Sequence, residues 1–180
     1  MLYTKGSPVG IDIPIQNMQE YLHEELNTLW FLGGNDYQAY GRCYRNQKDN
    51  GYIAEAYKRR NEYGELYLDD KYPVMSFFGV GENIDFKTSN SAKVHLVFFV
   101  NVQRVKNLQH RGDEEVRKDV QSLVQSRYQG FVLTGIRTGI NNVLEEYPGS
   151  VRDEGMKFRD MHPFHCFRLD FTLQYNINNC

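Results

Sequence analysis

Cysteine is scarce in this chain of 180 residues, and no CxxC pair is present. The three cysteines, Cys43, Cys166 and Cys180, form an odd and widely spaced set. Such a set does not build a disulfide framework and fits reduced thiols in a cytosolic setting. No apolar run approaches the roughly 18 residues of a membrane-spanning helix. The opening "MLYTKGSPVG" has no long apolar stretch, so we expect neither a membrane span nor a signal peptide.

An excess of charge of one sign is also missing. Lys and Arg number 21 and Asp and Glu number 23, which gives a formal net charge of -2. This balance does not by itself indicate a nucleic acid or a membrane surface as the main partner. The sequence contains no internal repeat and no low-complexity tract. Its length predicts one domain over residues 1–180, with 35–71 as an inserted or extended hairpin region.

Common catalytic motifs are incomplete wherever they begin. "HEELN" at 23–27 has Asn27 where a zinc-protease helix needs its second histidine. "GVG" at 79–81 and "TGIRTGI" at 134–140 are neither a dinucleotide-binding loop nor a P-loop, and no GxSxG elbow occurs. We therefore predict no enzyme and no cofactor. The alternative is a small intracellular enzyme whose site is assembled from distant residues, such as His95, His162 and His165.

The stretch "HPFHCF" at 162–167 concentrates two histidines and a cysteine. The residues from 163 to 175 alternate between apolar and polar, which predicts a half-buried strand with one solvated or interface face. Successive strand residues point to opposite sides of a sheet, so His165 and Cys166 cannot bind one metal ion together. We predict no metal site here.

Apolar periodicity predicts two clear helices and a shorter third one. The first covers 14–31 and ends before Gly33, and the second begins at Asp113, which caps it. The third is expected to be capped by Thr138 and stopped by Pro148. The residues expected to be buried on these helices are Ile15, Met18, Leu22, Leu26, Leu29, Trp30, Val116, Val120, Leu123, Val124, Tyr128, Ile140, Val143, Leu144 and Tyr147.

Strand patterns fill the remainder of the chain. Two Tyr-rich runs flank the turn-forming "NQKDNG" and predict a hairpin. The residues 93–105 are apolar on both faces, which is typical of a central, covered strand, while 83–92 is expected to be a polar loop. The fold class predicted is α+β: a mostly antiparallel sheet with two to three helices packed on it and an extended Tyr-rich β-hairpin.

Charge is segregated along the chain. Residues 12–36 contain five acidic residues and no Lys or Arg, whereas 42–60 contain six basic residues against two acidic ones. Opposite patches on one domain permit head-to-tail contact between copies, or they neutralise each other within one subunit. The candidate interface residues are Glu20, Glu24, Glu25, Arg42, Arg45, Lys58, Arg59 and Arg60. A second basic loop, with Arg104, Lys106 and Arg111, is either a DNA-facing loop or an ordinary solvated one.

The order of elements resembles the tail-terminator or tail-completion proteins of tailed bacteriophages. The resemblance covers a first helix at 14–31, the run from Tyr72-Pro73 to about 128, and the late alternating strand at 160–177. The Tyr-rich region 35–71 departs from that compact pattern, and a neck or connector ring of a short-tailed phage, including crAss-like gut phages, is also compatible.

What the resemblance implies is a structural virion protein in the neck or tail, assembled in the host cytoplasm. It would form a homo-oligomeric ring, sixfold or twelvefold, between the head-side portal or connector and the tail proteins. DNA would pass through the ring with only non-specific proximity to it, and no membrane would be involved. A monomeric adaptor or binding module is a further alternative.

Overall fold

The computed structural model describes residues 1–49, 51–60, 62–86, 90–106, 108, 111–127, 130–151 and 161–176, without the side chains of 82–86. The strands are β1 Leu2–Tyr3, β2 Tyr37–Lys48, β3 Gly51–Arg59, β4 Glu62–Glu65, β5 Val74–Phe86, β6 Asn90–Asn101, β7 Phe131–Thr138 and β8 Phe164–Tyr175. The helices are α1 Asp12–Leu29, α2 Asp113–Arg127 and the single turn α3 Ile140–Val143.

All the strands belong to one open sheet. Its order is β4-β3-β2-β5-β6-β8-β7, and β1 pairs with β2 off this path. Most pairs are antiparallel, while β2 runs parallel to β5 and to β1. The structure confirms the predicted α+β class, with a mostly antiparallel sheet and helices packed on it.

The first face of the sheet is covered by α1 and α2. Helical spacing brings one apolar stripe of each helix onto the strands, because residues three and four apart share a face. The helix residues in this first core are Ile15, Met18, Leu22, Leu26, Val116, Val120 and Val124, and the β6 residues are Val94, Leu96, Phe98 and Val100. Trp30, directly after α1, is fully buried and donates from its indole nitrogen to Asp119 of α2 (2.8 Å).

The second face is covered by the short segment from α3 to Val151 and by residues 66–68. The buried side chains of this second core include Val97, Phe99, Cys166, Ile140, Val143, Leu144 and Tyr147. The prediction of a central strand covered on both faces is therefore confirmed for β6, but the strand ends at Asn101, and Val102–Arg104, predicted to continue it, form a 3-10 turn. For β8 the expectation of one solvated face was wrong near Cys166 and Arg168, because the segment after α3 buries both residues.

The Tyr-rich region forms an extension of the sheet beyond the body. The first half of β2 pairs with β5 as far as Cys43, and the second half pairs with β3 only. A register shift between Tyr40 and Arg42 marks the change. Strand β4 then adds to β3. We call residues 44–65 the extension; its core is shared with the second face of the sheet through Ala54 and Ala56.

Several local expectations were wrong. Within 83–92, predicted to be a loop, the described residues 83–86 and 90–92 are strand, because β5 continues to Phe86 and pairs with β6 from Asn90. The third helix is one turn preceded by Gly139, and Thr138 ends β7 rather than capping it. Helix α1 lies two residues earlier than predicted at each end. Tyr128, predicted to be buried, lies outside the described residues. In the described part of the chain, no helix is both long and apolar enough to cross a membrane.

The packing of α1 gives the first prediction. Leu22 is fully buried in the first core, whereas Leu29 of the same helix is exposed, so the prediction that Leu29 is buried was wrong. We expect Leu22→Ala to lower the free energy of unfolding by about 2–5 kcal/mol, because it leaves a cavity in a packed core. Urea unfolding followed by the fluorescence of the single tryptophan, Trp30, measures this directly.

The matched control is Leu29→Ala, which removes the same atoms from the surface and should change stability by about 0.5 kcal/mol or less. Equal losses for the two variants would contradict the assignment of the buried helix face.

Candidate functional site

The extension exposes an unusual number of aromatic side chains. Among the described residues, Tyr52 and Tyr63 of the extension have large exposed side chains. Tyr67, two residues after the end of the extension, is exposed as well. The guanidinium of Arg45 lies 3.6 Å from the ring centre of Tyr52, a cation–π contact. Tyrosine and arginine are the residues that protein interfaces favour, because they bury a large area and keep a polar end.

A shallow depression of about 370 Å³ lies on the extension. Its lining residues are Tyr44, Arg45, Asn46, Glu55 and Tyr63. The rings of Tyr44 and Tyr63 meet edge to face with their centres 5.7 Å apart. The cations beside these two rings are the guanidinium of Arg42 and the ammonium of Lys5, which lie 4.7 and 5.1 Å from the ring centre of Tyr44, whereas Arg45 points to the opposite face of the extension, over Tyr52. Two aromatic walls with these cations beside them can hold an apolar or aromatic group from another molecule. We call this surface the tyrosine depression.

The predicted acidic surface is present on α1, with one exception. Glu20, Glu24 and Glu25 are exposed on the solvent side of the helix. Asp12 is different, because its carboxylate accepts a hydrogen bond from Lys5 (2.7 Å) and lies 3.5 Å from Arg42. For this acid and for Arg42, the alternative of neutralisation within one subunit holds.

The other basic candidates on the extension keep exposed side chains. Lys58 donates to the backbone carbonyl of Glu65 (2.8 Å), and the guanidinium of Arg59 lies over Tyr3 with 5.3 Å to the ring centre. Arg45 and Arg60 are exposed as well. The extension therefore presents a basic and aromatic surface, whereas α1 presents an acidic one.

The second basic loop is largely engaged within the chain. Lys106 pairs with Glu115 (2.7 Å) and Asp119 (2.9 Å). Arg111 pairs with Asp113 at 2.6 Å, at the start of α2. Arg104 donates to the carbonyl of Lys71 and keeps an exposed side chain. Of the three candidates for a DNA-facing loop, Arg104 alone has no carboxylate partner among the described residues.

A buried ion network lies on the second face of the sheet, and sequence reasoning missed it. Arg168 of β8 is only 4% exposed; it donates to Asp170 (2.6 Å) and to Glu146 (2.9 Å). Arg137 of β7 joins the network through Asp170 at 2.9 Å and through Glu145. Adjacent carboxylates are usually surface charges, but Glu146 is half-buried and paired with Arg168 of the sheet. No local pattern in the sequence links Glu146 to Arg168.

His95 lies at the inner end of this network. Its Nε2 is 3.2 Å from the hydroxyl of Tyr147, and its Nδ1 is 3.6 Å from Glu146. A Cβ at Gly79 would overlap both the imidazole and the tyrosine hydroxyl, so this strand position requires glycine. Burial, together with the nearby Arg168 and Arg137, holds the pKa of His95 well below its ordinary value. The imidazole is therefore neutral, and its hydrogen bond with the hydroxyl of Tyr147 links β6 to the segment that covers the second face.

A cleft of about 520 Å³ opens beside the network, lined among others by Lys93, Thr134, Arg137, Arg168, Asp170 and Thr172. The charged groups that line it are mostly paired with one another, as described above. The network ties residues 145–147 to β6, β7 and β8. Its evident role is to hold the second layer onto the sheet.

The three histidines of the alternative enzyme site do not meet. His95 faces the second core, whereas His165 stacks on Phe167 of the first core with ring centres 5.2 Å apart. His162 is exposed and lies 3.2 Å from the amide of Gln103. His165 and Cys166 point to opposite faces, as predicted from the alternation. Across the described ranges, no group of three or more His, Cys, Asp or Glu side chains is arranged to hold a metal ion.

Comparison with known proteins adds no relative: no family model, no curated protein and no solved structure matches this chain.

The buried imidazole gives the second prediction. Because the pKa of His95 is depressed in the folded protein, the unfolded chain binds a proton first as the pH falls below about 6.5. The stabilising contribution is therefore complete above that pH and is lost on acidification. We expect the free energy of unfolding to decrease between pH 7.5 and 5.5, and His95→Gln to flatten that slope in urea titrations.

The control is His162→Gln, which makes the same exchange at an exposed histidine and is measured over the same pH range. Some slope remains in His95→Gln, because burial and the nearby N-terminal amine also lower the pKa of His23. An identical slope in wild type and His95→Gln would contradict the assignment.

Proposed function

We propose that this protein is a structural subunit of a tailed bacteriophage that assembles into a closed ring in the neck or tail. The observation that carries the proposal is the exposed acidic face of α1 together with the exposed basic and aromatic extension on the same subunit. Two different, complementary surfaces on one chain make a head-to-tail contact. Such a contact closes into a ring when its rotation closes.

The architecture fits a rigid ring segment. Both faces of the sheet are covered by packed side chains, so the body has little freedom to deform. Binding is then left to the periphery, and the extension is the element that projects there. Its exposed tyrosines and arginine supply the kind of anchor that dominates interface energetics.

The partners follow from this geometry. Copies of the chain join side by side, and the head-side connector and the tail proteins lie above and below the ring. DNA passes through the lumen without tight binding, because Lys106 and Arg111 are engaged with carboxylates. Arg104 remains the candidate for weak, sequence-independent contact with phosphates. The proposed role requires no chemical reaction.

The proposal is tested by cryo-electron microscopy of the purified protein, alone and mixed with the connector proteins of its virion. We expect class averages of rings with a central hole wide enough for duplex DNA, and the averages give the symmetry. A monomer that persists under every condition, including mixing with connector rings, would overturn the ring.

The charge pattern gives a mutational test of the same contact. We expect Arg45→Glu combined with Lys58→Glu to weaken assembly and to make the remaining assembly less sensitive to salt, because an attraction between opposite charges has been removed. Sedimentation velocity over a range of salt concentrations measures both effects.

Two further variants make this test specific. Lys118→Glu combined with Arg127→Glu changes the net charge by the same amount on α2, and it should assemble as the wild type does. Adding Glu24→Lys and Glu25→Lys to the extension variant should restore assembly, because the attraction is then rebuilt with reversed signs. Equal assembly of the extension variant and the wild type would show that these charges do not form the contact.

A further inference from the structure

Among the described residues, Phe31 has the most exposed of the large apolar side chains. It is 75% exposed and lies just beyond the C-terminal end of α1. Its φ is +55°, in the left-handed region that bulky residues rarely adopt. Helices very commonly end with glycine in this conformation, and here two glycines follow only at positions 33 and 34. The chain thus places a strained aromatic residue where a glycine would be relaxed.

The backbone on both sides of Phe31 is held firmly. Trp30 is fully buried, and its carbonyl accepts a hydrogen bond from the amide of Lys106 (3.1 Å). The amide of Leu32 donates to the carbonyl of Asn27 at 3.0 Å, which completes the helix end. The ring of Phe31 is consequently presented to solvent from a rigid base, with the exposed Leu29 close to it in sequence.

The tyrosine depression lies near the opposite end of α1. Lys5 binds Asp12, the first residue of the helix, and its ammonium lies 5.1 Å from the ring centre of Tyr44 and 5.9 Å from that of Tyr63. The 18 residues of α1 span roughly 27 Å at the usual helical rise. Phe31 therefore cannot reach the tyrosine depression of its own chain.

We propose that Phe31 of one copy inserts into the tyrosine depression of the next copy, which deepens the ring proposal and rests on it. Charge as well as shape supports Phe31 as the side chain that binds in the tyrosine depression. Glu24 and Glu25 are exposed in the C-terminal half of α1, two turns before Phe31, while the guanidinium of Arg42 and the ammonium of Lys5 lie beside the ring of Tyr44 in the depression. Glu55 also lines it, so the aromatic walls supply affinity and the cations supply orientation.

The test replaces Phe31 by glycine and by serine and measures self-association by sedimentation velocity. We expect Phe31→Gly to weaken self-association by at least about tenfold, as loss of an interface anchor does. The same variant should keep or raise the urea midpoint of the unassembled chain, because glycine adopts a positive φ without steric strain. Weaker association with undiminished stability is a combination that a merely structural role of Phe31 would not give.

The matched control is Val9→Ser, which removes another strongly exposed apolar side chain (68%) elsewhere on the surface and should leave association unchanged. A second measurement keeps Phe31 and the two ring walls, Tyr44 and Tyr63, and replaces one residue near each contact surface. Thr28→Cys and Asn46→Cys proteins, each with Cys180→Ser, are mixed and treated with a short bismaleimide linker; Cys43 and Cys166 are buried. A covalent dimer should form efficiently only when both proteins are present.

The outcomes separate this contact from the ring itself. Rings that form equally well with Phe31→Gly, together with no cross-link, would overturn the contact and leave the ring proposal standing. Open filaments that depend on Phe31 would support the contact and overturn the closed ring. A wild-type chain that does not self-associate at any concentration or on connector rings would overturn both.

Discussion

Strand β6 is the constraint on which the rest of the structure depends. All twelve of its residues pair with β8 on one side, and most of them pair with β5 on the other. From Val94 to Asn101 its side chains are buried on both faces, with Phe98 in the first core and Phe99 in the second. A strand that is apolar on both sides must be covered on both sides. This single requirement demands α1 and α2 on one face and the segment from α3 to Val151 on the other.

The two layers that cover the sheet are held on it by different interactions. This difference explains where buried polar groups occur. The helical layer presents broad apolar stripes, so packing supplies most of what holds it on the sheet, with a buried hydrogen bond from Gln19 of α1 to Ser76 of β5. The second layer is short and contributes few side chains, so the network of His95, Tyr147, Glu146 and Arg168 adds directed hydrogen bonds to its packing. Because both faces are occupied, exposed tyrosines and unpaired strand edges are confined to the periphery.

The sequence allowed much of this layering to be predicted. Period-two alternation assigned the two faces of β6, and helical spacing assigned the buried stripes of α1 and α2, because each pattern is local. The network around Arg168 could not be predicted, since its members come from three strands and a turn that only the sheet order brings together. The polar composition of 83–92 suggested a loop, but pairing with neighbouring strands extended β5 and β6 into it. The charged surfaces were visible as runs along the chain, whereas the internal pairing of Asp12 with Arg42 required the folded structure.

Helix α1 connects the core to the proposed contact. Its buried stripe fixes the helix on the first face, and Asp12 at its start fixes the base of the extension through Arg42 and Lys5. At its other end Trp30 is held by Asp119, and Phe31 follows. A displacement of one end of this helix would therefore displace the other. Phe31 and the tyrosine depression thus keep a constant separation and angle within each subunit. A constant angle between two complementary surfaces is what makes repeated head-to-tail addition close after a fixed number of copies.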